Sequence, residues 1–381
     1  MNKNLKMRNS TIQDKICLIY NYGQHYRLGI FRLLNNEMGV HFYFGDKMDD
    51  VKKIDYSELS LFEKELKNIK IYGPIYWQSG AISTLFQPYK HYIILGEYLC
   101  LSTWLLALFA PLFGKKVYFW THGWYGKESK IMKLFKKFFF KLGNQIFLYG
   151  ERAKKLMINE GFDERRLHVI YNSLNYEEQL DTRSKLSPHR EFYSKIFEND
   201  FSTIIFIGRL TKVKKLSWVI EAMRILNEKG IKVNFCIIGN GVEKSTLIEM
   251  VEGYHLKEQV RFLGAIYDEG LIAEYICNAD VCVSPGNVGL TAMHAMVFGT
   301  PVITNDDFNN QMPEYEAVVE GETGGFFINN DIENLASKIE YWIGGHVDRE
   351  ITRKNCFNQI DSYFNPYYQL KVIENVIKTN S

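Results

Sequence analysis

The stretch from Val281 to Thr304 constrains this chain most. A short apolar run, Val281–Val283, ends at Ser284-Pro285. A loop carrying Gly286 and Gly289 then opens into Leu290-Thr291-Ala292-Met293-His294-Ala295-Met296, which has the length and residue types of a helix. Gly299 stops that helix, and Pro301-Val302-Ile303 starts a second strand. Strand, helix and strand in so short a space predict a crossover unit of a parallel sheet. A loop that runs directly into a helix is also an anion site, because first-turn N–H groups lack partners and the helix dipole is positive there. The same glycines would serve a plain tight turn.

The alternation recurs along the whole chain, which predicts an α/β protein with parallel sheets. In the first half the strand candidates are Ile16–Tyr20, Val40–Phe44, Tyr92–Leu95, Val117–Trp120, Gln145–Tyr149 and Leu167–Tyr171. The second half restarts at Phe201–Ile207 and continues through Val233–Ile238 and Val260–Leu263, with helices over Glu269–Asn278 and Asp331–Ile343. Between the halves, residues 175–200 are charged, carry Pro188 and show poor periodicity, so they read as a linker. With 381 residues, two domains are expected, residues 1–178 and 179–362, followed by a last helix within 363–381. Charge divides the same way. Residues 1–180 hold 26 Lys+Arg and 17 Asp+Glu (+9), and the remainder hold 20 and 27 (−7), matching the net +2.

Six cysteines without a CxxC pair, mostly inside apolar runs, favour buried reduced thiols over disulfides or zinc. The N-terminus has no apolar segment after its charges, so no signal peptide is expected. The longest apolar run, Leu99–Phe113, is broken by Pro111 and too short to span a bilayer. Residues 130–142 set Lys130, Lys133, Lys137 and Lys141 on one helical stripe, with Ile131, Phe135, Phe138 and Leu142 on another face. Beside Trp124-Tyr125, read as exposed, this predicts either a helix lying on an anionic membrane surface or an ordinary sheet-covering helix.

In open α/β sheets ligands sit outside the carboxyl ends of the strands. Those loops hold His25, Tyr26 and Arg27 after the first strand, Glu97 after Leu95, and His122 after Trp120. In the second half they hold Arg209 and Lys214, then Gly239-Asn240-Gly241. Arg209 offers a bidentate fork and Lys214 a mobile point charge, so with the Gly286–Leu290 loop they suit a diphosphate. No metal-ligand spacing is evident; Asp49-Asp50 and Asp306-Asp307 are adjacent pairs whose side chains diverge. Neither a Walker motif nor GxGxxG after the first strand is present, which argues against a P-loop ATPase or a dinucleotide oxidoreductase.

Taken together, these residues resemble family 4 of the nucleotide-sugar glycosyltransferases. Phe206-Ile207-Gly208-Arg209-Leu210 with Lys214 is similar to its phosphate clamp, and Ile237–Gly241 to its GxG loop. Phe262-Leu263-Gly264, Ala279–Pro285, Gly289-Leu290, Ala295-Met296, Gly299–Ile303 and Gly321–Gly324 follow the rest of the family pattern. The resemblance covers essentially the second half. It implies the GT-B fold, two Rossmann-like domains facing each other across a cleft, with the C-terminal helix crossing back to the N-terminal domain. It also implies a glycosyltransferase (hexosyltransferase) without a cofactor. Such an enzyme moves a hexose from a nucleoside diphosphate sugar to a glycan or lipid-linked glycan in surface polysaccharide synthesis, retaining and metal-independent.

By the same resemblance His122, Arg209 and Lys214 are catalytic. Gly241, Gly286, Asn287, Val288, Gly289, Leu290, Thr291 and His294 bind the donor, the backbone amides from Asn287 to Leu290 cradling its diphosphate. His25, Tyr26, Arg27 and Glu97 lie on the acceptor side. One departure stands out, since the family's E-x7-E glutamates are Gly286 and His294 here. The implied location is cytoplasmic, peripheral on the inner face of the cell membrane, with no nucleic-acid partner. Two rival readings are a nucleotide-sugar epimerase of related fold and a catalytically silent nucleotide-sugar binding subunit.

Overall fold

The computed structural model describes residues 14–47, 51–189 and 191–380. The N-terminal stretch read for a signal peptide and Asp49-Asp50 lie outside them. The chain divides into two compact units, one of residues up to Asn175 plus those from Asn365 onward, the other Tyr176–Phe364.

The first unit runs β1 (Lys15–Tyr20), α1 (Leu28–Met38), β2 (Val40–Gly45), β3 (Phe62–Tyr72), β4 (Ile75–Ser79), β5 (Tyr89–Leu95), α2 (Leu101–Phe109), β6 (Lys116–Thr121), α3 (Lys130–Lys141), β7 (Gln145–Leu148), α4 (Glu151–Asn159) and β8 (Leu167–Val169). The strands form one sheet in the order β4-β3-β2-β1-β5-β6-β7-β8. All neighbours are parallel except the β3–β4 hairpin at the edge. Helices cover both faces, so the central strands are buried along nearly their whole length and read as continuous apolar runs. The hairpin was not foreseen. Its first strand, FEKELKNIKIY, is mostly exposed and interleaved with charge, a composition that protects a sheet edge and hides the strand from an apolar-run search.

The second unit contains α5 (Tyr176–Lys185), α6 (Glu191–Phe197), β9 (Thr203–Ile207), α7 (Ser217–Glu228), β10 (Asn234–Ile238), α8 (Lys244–Gly253), β11 (Val260–Gly264), α9 (Glu269–Asn278), β12 (Val281–Val283), α10 (Thr291–Val297), β13 (Val302–Asn305), β14 (Gly324–Phe327), α11 (Ile332–Ile343) and α12 (Arg349–Tyr363). Its six strands are all parallel, in the order β11-β10-β9-β12-β13-β14. The stretch expected to be a linker is largely helical, as α5 and α6. Only Tyr176 and Gln179 of α5 are buried, which is why its apolar periodicity is too weak to read.

The last helix, α13 (Pro366–Thr379), belongs to the first unit, where it packs on α1. Asn365 caps it by accepting from the Tyr368 amide at 2.9 Å, and Pro366 opens its first turn. Ser173 Oγ donates to Gln369 Oε1 at 2.6 Å, and Lys116 Nζ reaches the Asn380 carbonyl. All six cysteines are buried free thiols.

Candidate active site

In the second unit the chain builds outward from β9 to β11, then returns to β12 and continues to β14 on the other side. The strand order therefore reverses between β9 and β12, the kind of switch point at whose carboxyl ends open α/β sheets take their ligands. Gly208 and Arg209 leave β9 there, and Ser284–Leu290 leave β12. Thr291 Oγ1 at the start of α10 donates to the Ile207 carbonyl at 3.0 Å, which ties the two exits together.

The loops meet backbone to backbone. A Cβ on Gly239 would lie 1.9 Å from the Gly208 oxygen, and one on Gly241 would lie 2.2 Å from the Leu210 oxygen. A Cβ on Gly286 would lie 1.9 Å from the Val213 oxygen. Contacts this close admit only glycine. The Gly286 amide donates to the Lys214 carbonyl at 3.1 Å and the Asn287 amide to the Val213 carbonyl at 3.1 Å, so loops 211–215 and 284–290 form one piece. The segment carrying Lys214 thus fills the space that any side chain at position 286 would enter.

Lys214 Nζ donates to the carbonyls of Asn287 at 2.6 Å and Val288 at 3.3 Å. Burial pushes its pKa down to about 8, against the nearby Glu314 carboxylate and with the Arg209 charge. Arg209 itself is exposed. Of the four amides expected to cradle a diphosphate, two are engaged within the protein: Asn287 as above, and Val288, which donates to Gln311 Oε1 at 2.9 Å. Gly289 and Leu290 are the amides that remain.

His294 lies on α10 with its Nε2 3.0 Å from Glu269 Oε1, at the start of α9. Gln179 Nε2 donates to the same oxygen at 3.1 Å. Burial raises the Glu269 pKa, but the His294 and Gln179 contacts outweigh it and hold the carboxyl below its ordinary value. With Nε2 committed to Glu269, the ring's other nitrogen, Nδ1, is what His294 can offer a ligand.

Sequence reading missed the support behind this loop. Gln311 Nε2 donates to the Gly286 carbonyl at 3.0 Å and to Thr304 Oγ1 at 2.9 Å, while Asn305 Nδ2 donates to the carbonyls of Pro285 and Gly286 at 2.7 and 2.9 Å. Buried amide side chains at the carboxyl end of β13 were the available signal.

The first unit repeats the topology, with its reversal between β1 and β5. Arg27 is buried, its guanidinium over the rings of Tyr149 (5.1 Å), Tyr20 (5.6 Å), Tyr26 (5.6 Å) and Trp120 (5.8 Å). The Tyr20 and Tyr149 hydroxyls are 2.8 Å apart, and the His122 ring stands 4.6 Å from that of Tyr149. Burial, helped by the Arg27 and Lys136 charges, pushes the His122 pKa down to about 3, so its imidazole is neutral at physiological pH. Its Nδ1 is buried without a hydrogen-bond partner among the described residues. Burial raises the Glu97 pKa, against the Leu99 amide donating to Oε1 at 3.2 Å and the Lys136 charge. Arg27, Tyr26 and His122 thus share one aromatic cluster. His25 is exposed, with Nδ1 3.2 Å from the Lys52 carbonyl.

Trp124, expected on the surface, is buried, with Lys136 Nζ 4.9 Å from its ring centre. Lys136 donates to Glu128 Oε1 and the Gly123 carbonyl, both at 2.7 Å, so this lysine of α3 faces inward. The sequence window sees only the spacing of charges, not the acid that draws one of them into the unit.

Residues 190–359 match the family model of the glycosyl transferases, group 1. A 41.2 kDa protein of the cps region of Klebsiella pneumoniae is 28% identical over 173 residues, 45% of this chain and 44% of that one. The capsular polysaccharide biosynthesis glycosyltransferase CapM of Staphylococcus aureus is 25% identical over 263 residues, 67% of this chain and 66% of CapM. The chain thus spans less than two thirds of the length of these relatives. The crystal structure of Anabaena Alr3699/HepE in complex with UDP aligns at a TM-score of 0.72 with 14% identity, over 96% of this chain and all of that one. The fold is GT-B. Among the described residues no helix is long and apolar enough to cross a membrane.

Proposed function

We propose that this chain is a glycosyltransferase of surface polysaccharide synthesis that moves a hexose from a nucleoside diphosphate sugar to a hydroxyl of a glycan or lipid-linked glycan. The observation that carries this reading is the β9/β12 switch point, where Arg209 and the half-buried Lys214 flank a loop built of close backbone contacts. The group 1 match over the same residues and the role named for CapM support it.

In the reaction the bond from the anomeric carbon to the diphosphate breaks and one to the acceptor oxygen forms. Arg209 and Lys214 neutralise the departing diphosphate, a function for preorganised donors that needs no metal. The amides of Gly289 and Leu290 and the side chains of Asn287 and Thr291 complete the donor site, with Gly241, Gly286 and Val288 shaping its backbone. His294, oriented by Glu269, offers its remaining nitrogen to the nucleotide. In the first unit, neutral His122 contacts the sugar or the attacking hydroxyl, and Glu97, His25, Tyr26 and Arg27 form the acceptor side. Transfer proceeds with retention. The enzyme works in the cytoplasm on the inner face of the membrane, attached through residues 130–142.

A thermal-shift screen over UDP-, GDP-, CMP- and dTDP-sugars tests the donor class, because a ligand of the native state raises apparent stability by mass action. A shift with one nucleotide series, followed by acceptor-dependent nucleotide release, is expected; no shift with any of them defeats the reading. The enforced glycine at 286 also favours one second reading, a nucleotide-sugar binding subunit without turnover. Tight binding with neither transfer nor hydrolysis across an acceptor panel would select it.

A further inference from the structure

We propose that α2, the turn that follows it and α3 together form a face of the first unit that lies in one leaflet of an anionic phospholipid membrane. This rests on the reading of residues 130–142 as a membrane-facing helix and extends it to a second element, within the apolar run read above only as too short to span a bilayer. Leu101–Phe113 contains no charged residue, yet it is far from covered. Leu108 is 50% exposed, Leu112 78% and Phe113 47%, with the similarly exposed Phe86 ring 5.5 Å from that of Phe113. On α3, Ile131 is 83% exposed, Leu134 72% and Phe138 60%.

The two surfaces are continuous. Trp104 of α2 has its ring 4.7 Å from that of Phe135 and 6.0 Å from that of Phe138. Monomeric proteins rarely expose contiguous apolar patches of this kind without a partner to cover them. Charge indicates which partner. The twelve residues of α3 include five lysines and no acid. Lys136 turns inward to Glu128 and Lys133 pairs with Glu160, while Lys130 and Lys141 are exposed at either end of the helix. An apolar face rimmed by lysine fits acyl chains beneath anionic headgroups. Leu101–Phe113 reaches about 20 Å as a helix, short of the roughly 30 Å hydrocarbon core, so it lies in the leaflet rather than crossing it.

The test is sedimentation of the full chain with phosphatidylcholine vesicles containing phosphatidylglycerol. Wild type is expected to bind them. Leu108→Ser with Leu112→Ser should lower partitioning at least about tenfold at any salt, the scale of withdrawing two large apolar side chains from lipid. Lys137→Glu with Lys141→Glu should lower it comparably at low salt only, because high ionic strength screens the attraction. Leu108, Leu112 and Lys141 are exposed and Lys137 is half-buried, and unchanged thermal unfolding of each variant will exclude misfolding. Binding of the serine pair equal to wild type, or no binding by wild type, overturns the proposal. So does a concentration-dependent dimer in lipid-free buffer that the serine pair abolishes, because a second copy then covers the face. Nucleotide-sugar shifts are read on the second unit. Vesicle binding without a nucleotide shift would end the glycosyltransferase reading and leave the docking face standing, and the converse would separate them the other way.

Discussion

The two units reuse one topology, a parallel sheet whose strand order reverses near its middle, yet they finish the carboxyl ends of their strands in opposite ways. In the second unit glycines let backbone approach backbone, and the cations Arg209 and Lys214 stand at the rim. In the first unit the same position is filled by rings. Arg27 is sunk among Tyr20, Tyr149, Trp120 and Tyr26, and His122 is held neutral beside them. The lesson is chemical. Close backbone and positioned cations suit an anion whose charge grows during reaction, whereas an aromatic cluster excludes water and keeps its imidazole neutral.

Removing charge from the second unit should break that contrast most strongly. Arg209→Ala is expected to lower kcat/KM for the nucleotide sugar by about 10²-fold, the scale of losing one transition-state donor. Unchanged turnover would remove Arg209 from the clamp. Close behind, Gly286→Glu should destabilise the chain by about 2–3 kcal/mol, because its Cβ meets the Val213 oxygen. A variant that melts with wild type, and works faster, would show that the loop yields.

Next comes the protonation of Lys214. Its pKa is lowered to about 8, so its charge is present below that pH and lost above it. Donor affinity should weaken above pH 8 by up to about tenfold per pH unit, and Lys214→Arg should abolish that limb because arginine stays charged. A flat profile in wild type would mean that Lys214 does not touch the diphosphate.

The smallest effect is read on the first unit. The His122 pKa falls from 6.5 to about 3 on folding. Between those values the unfolded chain takes up a proton that the native state refuses. Stability contributed by neutral His122 is therefore complete above pH 6.5 and declines as pH falls, by at most about 1.4 kcal/mol per unit. Denaturant unfolding at pH 7.5, 6.5 and 5.5 should show a shallower decline in His122→Gln than in wild type. Parallel curves would place His122 in water.

Much of this protein was legible from its sequence. Central strands such as β6 and β10, buried on both faces, are continuous apolar runs, and Gly286, Gly289 and Gly299 punctuate the helix between β12 and β13. Local periodicity and backbone freedom write such elements directly into residue order. The β3–β4 hairpin and α5 were not legible because they present surfaces with little apolar signal, and the inward turn of Lys136 because it depends on Glu128 and the Gly123 carbonyl, which lie in the loop before its helix. The same holds inside the candidate site. Sequence named Arg209, Lys214 and Gly286, since a strand-end loop with glycine and cations is a local pattern, and the family resemblance added His294. Only tertiary structure decided that the Asn287 and Val288 amides are engaged by Val213 and Gln311, that His294 meets Glu269, and that Leu108 and Leu112 join α3 in one uncovered face. Those outcomes turn on distances between segments tens of residues apart, and packing alone sets them.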